Sequence, residues 1–146
     1  MGKFLSGIYN VKNKSKYHGT KDPDYRSSWE LKVFEFLDNN PNILVWGSET
    51  VVIPYYSKAD ARSRRYMVDL FIEYRNRKGE LIRELVEIKP FAQTQKPTPR
   101  GNKKKETYLR EVYTYQVNTD KWIAAAKFAK DRGMKFRILT EKDIFR

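Results

Sequence analysis

The sequence contains no cysteine and only one histidine, His18. Without cysteine, the chain cannot form disulfide bonds, offer a thiolate nucleophile or build a cysteine-ligated zinc site. With a single imidazole, it also lacks the second histidine that a histidine-pair mechanism would need. Any metal ion bound by this chain would therefore require oxygen ligands, and Mg²⁺ or Mn²⁺ suits such ligands best.

Long apolar runs are also missing. No stretch approaches the roughly 20 consecutive apolar residues that a membrane-spanning helix needs, and the first residues lack the apolar centre of a signal peptide. We therefore expect a soluble intracellular protein without membrane contact, or one that is packaged into a particle assembled inside the cell.

Acidic residues are few relative to basic ones, with 18 Asp and Glu against 30 Lys and Arg. The resulting formal net charge of +12 favours polyanionic partners, above all nucleic acid. Hydrophobic residues still make up 40% of the 146 positions, which is enough for one domain with a real core.

The order of the expected elements predicts a mixed α/β domain over residues 26–146, with a central sheet packed by helices on its faces. Residues 1–25 are expected to form a loosely structured basic arm, either solvated or in contact with a phosphate backbone. The first expected element is a helix that opens within Asp24–Glu30, capped by Ser27 or Asp24, and runs to about Asn39. The others are strands at Ile43–Trp46 and Thr50–Tyr55, a polar loop at Ser57–Arg65, a hairpin within Tyr66–Pro90, a mobile basic loop at 91–106, a helix at Thr107–Arg132 and a strand at Lys135–Thr140.

The long helix carries apolar residues at helical spacing, which predicts the face that packs against the core. Gln116 and Lys121 flank this face, and we expect them to point either to solvent or to the functional site. The predicted core face consists of Val112, Tyr115, Thr119, Trp122, Ile123 and Ala126.

The stretch Tyr66–Pro90 indicates two β-strands joined by a polar turn at Asn76–Gly79. Side chains of a strand point alternately to opposite faces, so Glu87 and Lys89 share one face of the second strand. Because a shift of one residue in the pairing would move Asp69 to the other face, the register decides whether these charges meet. We expect the register that places Asp69 beside Glu87 and Lys89.

Glu30 is the acid that an upstream helix would add to this cluster. It follows Ser27 at the spacing of a capping box, and it also lies one helical turn before Phe34 on the apolar side of the helix. A carboxylate there costs desolvation free energy unless it has a partner. Glu30 therefore either caps its own helix or reaches into the site, and the spacing alone does not decide between the two.

A cluster of acids and a lysine suits phosphodiester hydrolysis, which requires a deprotonated water and neutralisation of a highly charged transition state. One or two Mg²⁺ ions held by carboxylates supply both. Lys89 would orient or help to deprotonate the water, or stabilise charge on the phosphate. The expected metal ligands are Asp69, Glu87, the backbone carbonyl of Ile88 and Glu30, with Mn²⁺ able to substitute for Mg²⁺.

The arrangement of these residues resembles the PD-(D/E)XK nuclease superfamily. Val68-Asp69 stands where the superfamily has Pro-Asp, Glu87-Ile88-Lys89 matches (D/E)-X-K, and Glu30 matches the acid that many members carry ahead of the core. The segments SSWELKVFEFLD, VDLFIEY and LVEIKP and the closing stretch from Asn118 to Glu141 are similar to head-completion nucleases of T-even-type tailed phages and to TnsA-like transposon-end endonucleases. The resemblance covers the chain from about Ser27 onwards, and Val68 in place of the usual proline is its one departure.

The resemblance implies a restriction-endonuclease-like fold, in which helices flank a central mixed sheet. It also implies a magnesium-dependent DNA endonuclease that acts in phage head completion or in the maturation of packaged DNA. The expected location is the host cytoplasm, with incorporation into the virion head as an option, and portal, neck or terminase proteins are the expected partners. A homodimer would allow double-strand cutting by a chain with one active site.

Basic residues around the predicted hairpin are the expected contacts with the DNA backbone. Three arginines stand just before the acidic strand, and a lysine-rich loop follows the Glu-x-Lys motif. A solvated connection is the alternative for the arginines, and plain disorder is the alternative for the loop. The residues expected to bind DNA are Arg62, Arg64, Arg65, Lys96, Arg100, Lys103, Lys104, Lys105, Gln116 and Lys121.

Two other functions are compatible with this composition. A structural DNA-binding head-completion protein could keep the nuclease fold without cleavage, although a pure binder gains little from acids that face a phosphate backbone. An RNA-binding accessory protein would need exposed aromatic residues on a sheet face, whereas most aromatic residues here fit core positions. The endonuclease is therefore the prediction, the structural protein is the alternative, and RNA binding is the least favoured.

Overall fold

The computed structural model describes residues 5–145 and contains eight strands and three α-helices within that range. In chain order they are β1 (Gly7–Ile8), β2 (Asp24–Tyr25), α1 (Ser28–Asn39), β3 (Ile43–Ser48), β4 (Val52–Ser57), β5 (Arg62–Met67), β6 (Leu70–Arg75), β7 (Leu81–Ile88), α2 (Lys105–Asp131), β8 (Lys135–Leu139) and α3 (Glu141–Ile144). Short 3₁₀ turns lie at Lys14–Lys16 and Phe91–Thr94. None of the helices in the described range is long and apolar enough to cross a membrane.

A four-stranded mixed sheet forms the centre, with the strand order β3-β6-β7-β8. Its strands pair antiparallel except for β7 and β8, which run parallel. Parallel neighbours need a crossover of a dozen or more residues, and α2 provides it. A separate hairpin of β4 and β5 packs against α2. The mixed α/β class expected from the sequence is confirmed.

Hydrophobic side chains cover both faces of the central sheet. On one face, Trp46 and Phe34 are fully buried between the sheet and α1. On the other face, Leu85 packs with Ala125 of α2 and with the β4–β5 hairpin. Because successive residues of β7 point to opposite faces, Leu85 and Val86 belong to different cores. Each large side chain buried in this way stabilises the fold by about 1.5–3 kcal/mol.

The turn between β6 and β7 forms where the sequence predicts it. The side-chain oxygen Oδ1 of Asn76 accepts hydrogen bonds from the backbone N–H groups of Lys78 (2.9 Å) and Glu80 (3.0 Å). Gly79 has a φ of 79°, which lies in the left-handed region that favours glycine. This local chemistry sets the pairing of the two strands.

Strand β5 corrects the expectation of a polar loop at Ser57–Arg65. Arg62, Arg64 and Arg65 lie in this strand, which pairs along its whole length with β4. The three arginines conceal the strand in the sequence, because they remove the apolar alternation by which a half-buried strand is recognised.

The strand expected to run through Asp69 without a break is divided in two at Val68–Asp69. Tyr66 lies near the end of β5, whereas β6 begins at Leu70, which pairs with Val86 of β7. Asp69 therefore occupies a bend between two strands instead of a regular strand position. The bend turns its side chain toward the end of β7.

Helix α2 forms near its expected bounds, but the predicted core face is wrong in part. Val112 and Ile123 are 39% and 64% exposed, and Ala126 is also exposed. Trp122 of the predicted face does pack against the core, together with Phe128. The fully buried positions of α2 are small or polar residues, which apolar spacing could not indicate. The buried residues of α2 are Asn118, Asp120, Ala125 and Ala129.

Residues 5–25 pack against the domain, which corrects the expectation of a loose arm for this part of the chain. Tyr9 and Val11 are 7% and 4% exposed and belong to the core beside α1. The buried carboxylate of Asp38 accepts hydrogen bonds from the Tyr9 hydroxyl (2.6 Å) and from the backbone N–H groups of Lys12 (2.8 Å) and Asn13 (3.0 Å). The first four residues of the expected arm lie outside the described residues.

Candidate active site

The ends of β6 and β7 bring three charged side chains together. These strands pair antiparallel with Leu70 opposite Val86, and the bend before Leu70 places the Asp69 side chain beside that of Glu87, as the sequence predicts. The Oδ2 atom of Asp69 accepts a hydrogen bond from the Ile88 backbone N–H at 2.7 Å. The Nζ atom of Lys89 lies 3.6 Å from Oε2 of Glu87. One hairpin therefore brings Asp69 next to Glu87 and Lys89, which follow it by 18 and 20 positions in the sequence.

Burial and the neighbouring carboxylate control the charge of Asp69. Glu87 is 5% exposed. Burial, followed by the charge of Glu87, raises the pKa of Asp69 to about 8. The hydrogen bond from Ile88 lowers this pKa but is a weaker influence than either. The pair therefore retains a proton near neutral pH unless a cation neutralises it.

Tyr66 and Lys121 form the wall of the site next to Glu87. The Tyr66 hydroxyl donates a hydrogen bond to Oε1 of Glu87 at 2.7 Å, and Nζ of Lys121 lies 5.5 Å from the centroid of the Tyr66 ring. Burial, followed by the charge of Glu87, raises the pKa of Tyr66, so the hydroxyl remains a donor. Sequence analysis missed Tyr66, because its contact with Glu87 spans 21 residues and leaves no local pattern.

Glu30 lies at the edge of this cluster and caps its own helix. Its backbone N–H donates to the Ser27 hydroxyl at 3.2 Å, and its Oε1 accepts a hydrogen bond from the Arg26 backbone N–H at 2.6 Å. Its charge is near enough to the site to add to the raised pKa of Asp69. Of the two alternatives that the sequence left open, the observed contacts correspond to capping, and Glu30 acts on the site through its charge.

The donor atoms at the ends of β6 and β7 fit a magnesium ion. Within residues 5–145, no group of three or more acidic or histidine side chains is arranged to hold a metal, so Asp69 and Glu87 act as a pair. The N–H and C=O of one strand residue point to the same side, so the Ile88 carbonyl faces the side of β7 from which Asp69 approaches. Mg²⁺ commonly takes only one or two carboxylates and keeps several waters. Two carboxylates and one carbonyl are therefore a sufficient donor set.

The arginines of β5 differ in their surroundings. Arg62 and Arg65 are exposed, whereas Arg64 forms an ion pair with Asp60. The Tyr113 hydroxyl of α2 donates to the same Asp60 carboxylate. Arg64 therefore helps to hold the hairpin against α2, and Arg62 and Arg65 are the β5 arginines that point to solvent.

The basic loop before α2 also contains one residue with a structural contact. Nζ of Lys103 donates to Oε1 of Glu111 at 2.7 Å and to the Thr98 carbonyl at 2.8 Å, which ties the loop to α2. Lys104 and Lys105 are exposed at the beginning of α2. Lys96 and Arg100 are exposed on the rim of a cleft of about 770 Å³ between this loop and α2.

Gln116, which the sequence predicts to face either solvent or the functional site and to bind DNA, has a supporting contact within the fold. Its side-chain amide donates to Oδ1 of Asp120 at 2.9 Å, and Oδ2 of Asp120 accepts the Lys58 backbone N–H at 2.8 Å. These bonds join α2 to the end of β4. Gln116 therefore lies on the hairpin side of α2 and is not part of the charged cluster.

Comparisons with known proteins relate this chain to two kinds of nuclease. The family model for the N-terminal domain of TnsA-like endonucleases matches residues 40–141, a range that contains Asp69, Glu87 and Lys89 but not Glu30. The chain is 47% identical over 140 residues to the head completion nuclease of Enterobacteria phage T4, which covers 93% of this chain and 91% of that protein. The central mixed sheet with flanking helices is the restriction-endonuclease-like arrangement expected from the sequence.

Proposed function

Because the chain belongs to the TnsA-like endonuclease family, we propose that it is a magnesium-dependent DNA endonuclease of the PD-(D/E)XK type. The observation that carries the proposal is the cluster of Asp69, Glu87 and Lys89 at the ends of two paired strands. The similarity to the head completion nuclease of phage T4 supports a role in phage head completion or in the maturation of packaged DNA.

The residues of the cluster divide the work of phosphodiester hydrolysis. Asp69 and Glu87 would hold Mg²⁺ together with the Ile88 carbonyl. The bound ion would neutralise charge on the scissile phosphate and lower the pKa of the attacking water. Lys89 presents its ammonium group beside Glu87, where it would bind a phosphate oxygen or hold that water. Because the Tyr66 hydroxyl occupies one oxygen of Glu87, the other oxygen is directed toward Lys89.

We also propose the location and partners that the sequence resemblance implies. The protein would act in the host cytoplasm or within the virion head, in contact with DNA and with portal, neck or terminase proteins. A chain with one such site would cut both strands as a homodimer or by successive nicks. Mn²⁺ would substitute for Mg²⁺, since both prefer oxygen ligands.

Cleavage of supercoiled plasmid tests the proposal. The purified protein is incubated with plasmid in Mg²⁺, in Mn²⁺ and in EDTA, and Lys89→Ala is compared with Lys130→Ala. Lys130 is an exposed lysine in the last turn of α2, so its substitution removes the same charge far from the cluster. We expect metal-dependent nicking that Lys89→Ala reduces by about a hundredfold or more and Lys130→Ala retains.

The alternative function makes a different prediction in the same assay. A structural DNA-binding head-completion protein would bind plasmid without cutting it in either metal. That result would overturn the endonuclease proposal, provided that the parent protein is folded and retains DNA. Cleavage that survives Lys89→Ala unchanged would remove Lys89 from the site.

A further inference from the structure

The two elements that line the cleft of about 770 Å³, the 91–104 segment and α2, both also adjoin the charged cluster. One of its walls begins at Phe91, two residues after Lys89. The other wall is the face of α2 that carries Glu111 and Asn118, and the next turn of that helix carries Lys121, which lies over the Tyr66 ring beside the cluster. At a rise of about 1.5 Å per residue, the ten residues from Glu111 to Lys121 span about 15 Å.

The charge around this cleft is suited to phosphate groups. Lys96, Arg100 and Arg110 line it, and each is exposed. None of these three side chains is ion-paired within residues 5–145. The acid in the lining, Glu111, is neutralised by Lys103. The lining of the cleft therefore contains three cationic side chains that no acidic side chain of the described residues neutralises.

The remaining lining residues are suited to nucleobases. Tyr115 lies on the α2 wall, and Gln93 and Gln95 on the opposite wall add exposed amide groups. The Phe91 ring on that wall is covered on one face by the Lys142 ammonium group, 3.5 Å from the ring centroid, so Tyr115 is the aromatic residue of the lining on which a base can stack. Aromatic side chains in a positively charged groove are the usual means by which proteins bind single-stranded nucleic acid, because every base has a face on which to stack. Amide side chains offer both a donor and an acceptor to base edges.

The dimensions of the cleft distinguish a single strand from a duplex. A volume of about 770 Å³ falls within the range of roughly 300–1,000 Å³ in which proteins bury small ligands. One or two nucleotides are ligands of that size. In a duplex the base faces are stacked and only the base edges are presented in the grooves, so a duplex cannot place a base against Tyr115.

We propose that this cleft binds an unpaired stretch of one DNA strand, so that the preferred substrate is DNA with a single-stranded segment next to the cleaved bond. The inference rests on the proposed endonuclease function and specifies its substrate class. Phosphates of the unpaired strand lie against Lys96, Arg100 and Arg110, and a base stacks on Tyr115. The strand then leads along α2 to the phosphate held beside Lys89.

Binding measured in EDTA, where no cleavage is expected, tests the cleft separately from catalysis. Fluorescence anisotropy compares three labelled DNAs: a single strand, a blunt duplex and a duplex with a single-stranded tail. The variants are Tyr115→Leu and Arg110→Gln. Their matched controls are Tyr56→Leu, at an exposed tyrosine on β4, and Lys130→Gln, at an exposed lysine on α2.

The expected result is selective. Tyr115→Leu should weaken binding to the single strand and to the tailed duplex by about fivefold or more, since stacking on one base is lost, and should leave the blunt duplex little changed. Arg110→Gln should lower the slope of log affinity against log salt for the single strand by about 0.7, the value for one phosphate contact. Both controls should bind all three DNAs as the parent does.

Two outcomes would overturn the inference. Either both variants bind every DNA as the parent does, or they lose affinity for the blunt duplex as much as for the tailed one. Plasmid nicking in Mg²⁺ is scored in parallel. If the parent protein nicks plasmid but the variants show no selective loss of affinity for the DNAs with a single-stranded part, the role of the cleft is refuted and the endonuclease proposal stands. If the selective loss of affinity is seen but the parent protein does not nick plasmid, the endonuclease proposal is refuted and binding in the cleft stands. Because Arg110 is exposed, its substitution keeps the test valid even if Tyr115→Leu fails to fold.

Discussion

Replacing Asp69 with asparagine should stabilise the fold while it abolishes cleavage. The carboxyl group of Asp69 is largely buried beside that of Glu87, and this arrangement raises its pKa to about 8. An asparagine would keep the acceptor for the Ile88 N–H, which now bonds Oδ2 at 2.7 Å, and could donate its amide protons to Glu87. The substitution therefore removes the free-energy cost of keeping a proton on Asp69 beside Glu87 and preserves the hydrogen bonds.

The size of the effect follows from the difference in pKa. At pH 7 the folded protein still holds a proton that a carboxyl group with the ordinary pKa of 3.8 releases about three pH units lower. Each pH unit corresponds to about 1.4 kcal/mol, so the largest gain in stability expected from Asp69→Asn is about 4 kcal/mol. Asp69 retains some exposure, and solvent screening reduces the expected gain to about 2 kcal/mol. For a chain of 146 residues, this gain raises the melting temperature by about 4–8 °C.

The pH dependence has a defined sign. Between about pH 4 and pH 8, the folded protein keeps a proton on Asp69 that the unfolded chain has released. The stability of the parent therefore falls as the pH rises through this interval, because the folded state binds more protons than the unfolded state. Asp69→Asn lacks this titration, so its stability should decline less over the same range.

Thermal unfolding by circular dichroism in EDTA, at several pH values from 5 to 8, measures both effects. Asp24→Asn is the matched control, since Asp24 is an exposed carboxylate on β2. The parent should also gain stability on addition of Mg²⁺, and Asp69→Asn should gain less, because a ligand that binds only the folded state stabilises it. A variant that melts below the parent, or one with the same pH dependence, would refute the reasoning about the carboxylate pair.

Three further predictions test the surroundings of the site. Tyr66→Phe should raise the Mg²⁺ concentration for half-maximal cleavage by about tenfold, because Glu87 loses the hydroxyl that orients it; an unchanged requirement would show that this contact is only structural. In salt titrations of duplex binding, Lys104→Gln should lower the slope of log affinity against log salt by about 0.9. Lys103→Gln should lower this slope less, because the ammonium group of Lys103 is already ion-paired with Glu111. Equal slopes for the two variants would contradict this assignment. Asp38→Ala should lower the free energy of unfolding, measured in urea, by about 3 kcal/mol, because several hydrogen-bond donors lose their acceptor. A loss below about 1 kcal/mol would mean that other contacts hold the N-terminal segment.

The features that the sequence predicted correctly depend on local patterns. Helix α1 begins after Ser27, one of the two caps that the sequence offered, and the β6–β7 turn is closed by Asn76. Caps and turns are specified by residues within a few positions of each other. The same turn determines the register that brings Asp69 beside Glu87. Much of the candidate site could therefore be derived from one hairpin.

The features that the sequence did not reveal depend on distant partners. Asp38 anchors Tyr9 across 29 residues, so the basic composition of the N-terminal segment gave no sign that it packs against the core. Arg64 lies in a strand beside Asp60, whereas a run of arginines suggested a loop. The contact of α2 with the sheet uses Ala125 and Ala129, and apolar periodicity gives most weight to larger side chains.

The energetics of the site favour the enzyme over a purely structural DNA-binding protein. The chain places Asp69 in a bend between strands and holds its carboxylate against buried Glu87 with the Ile88 N–H, while the Tyr66 hydroxyl orients Glu87. This arrangement costs stability that an amide at position 69 would recover, and two carboxylates repel a phosphate backbone. Both costs would be removed if the carboxylates held the divalent cation that we propose. A protein that only binds DNA gains nothing from these acids, whereas a metal-dependent nuclease requires them.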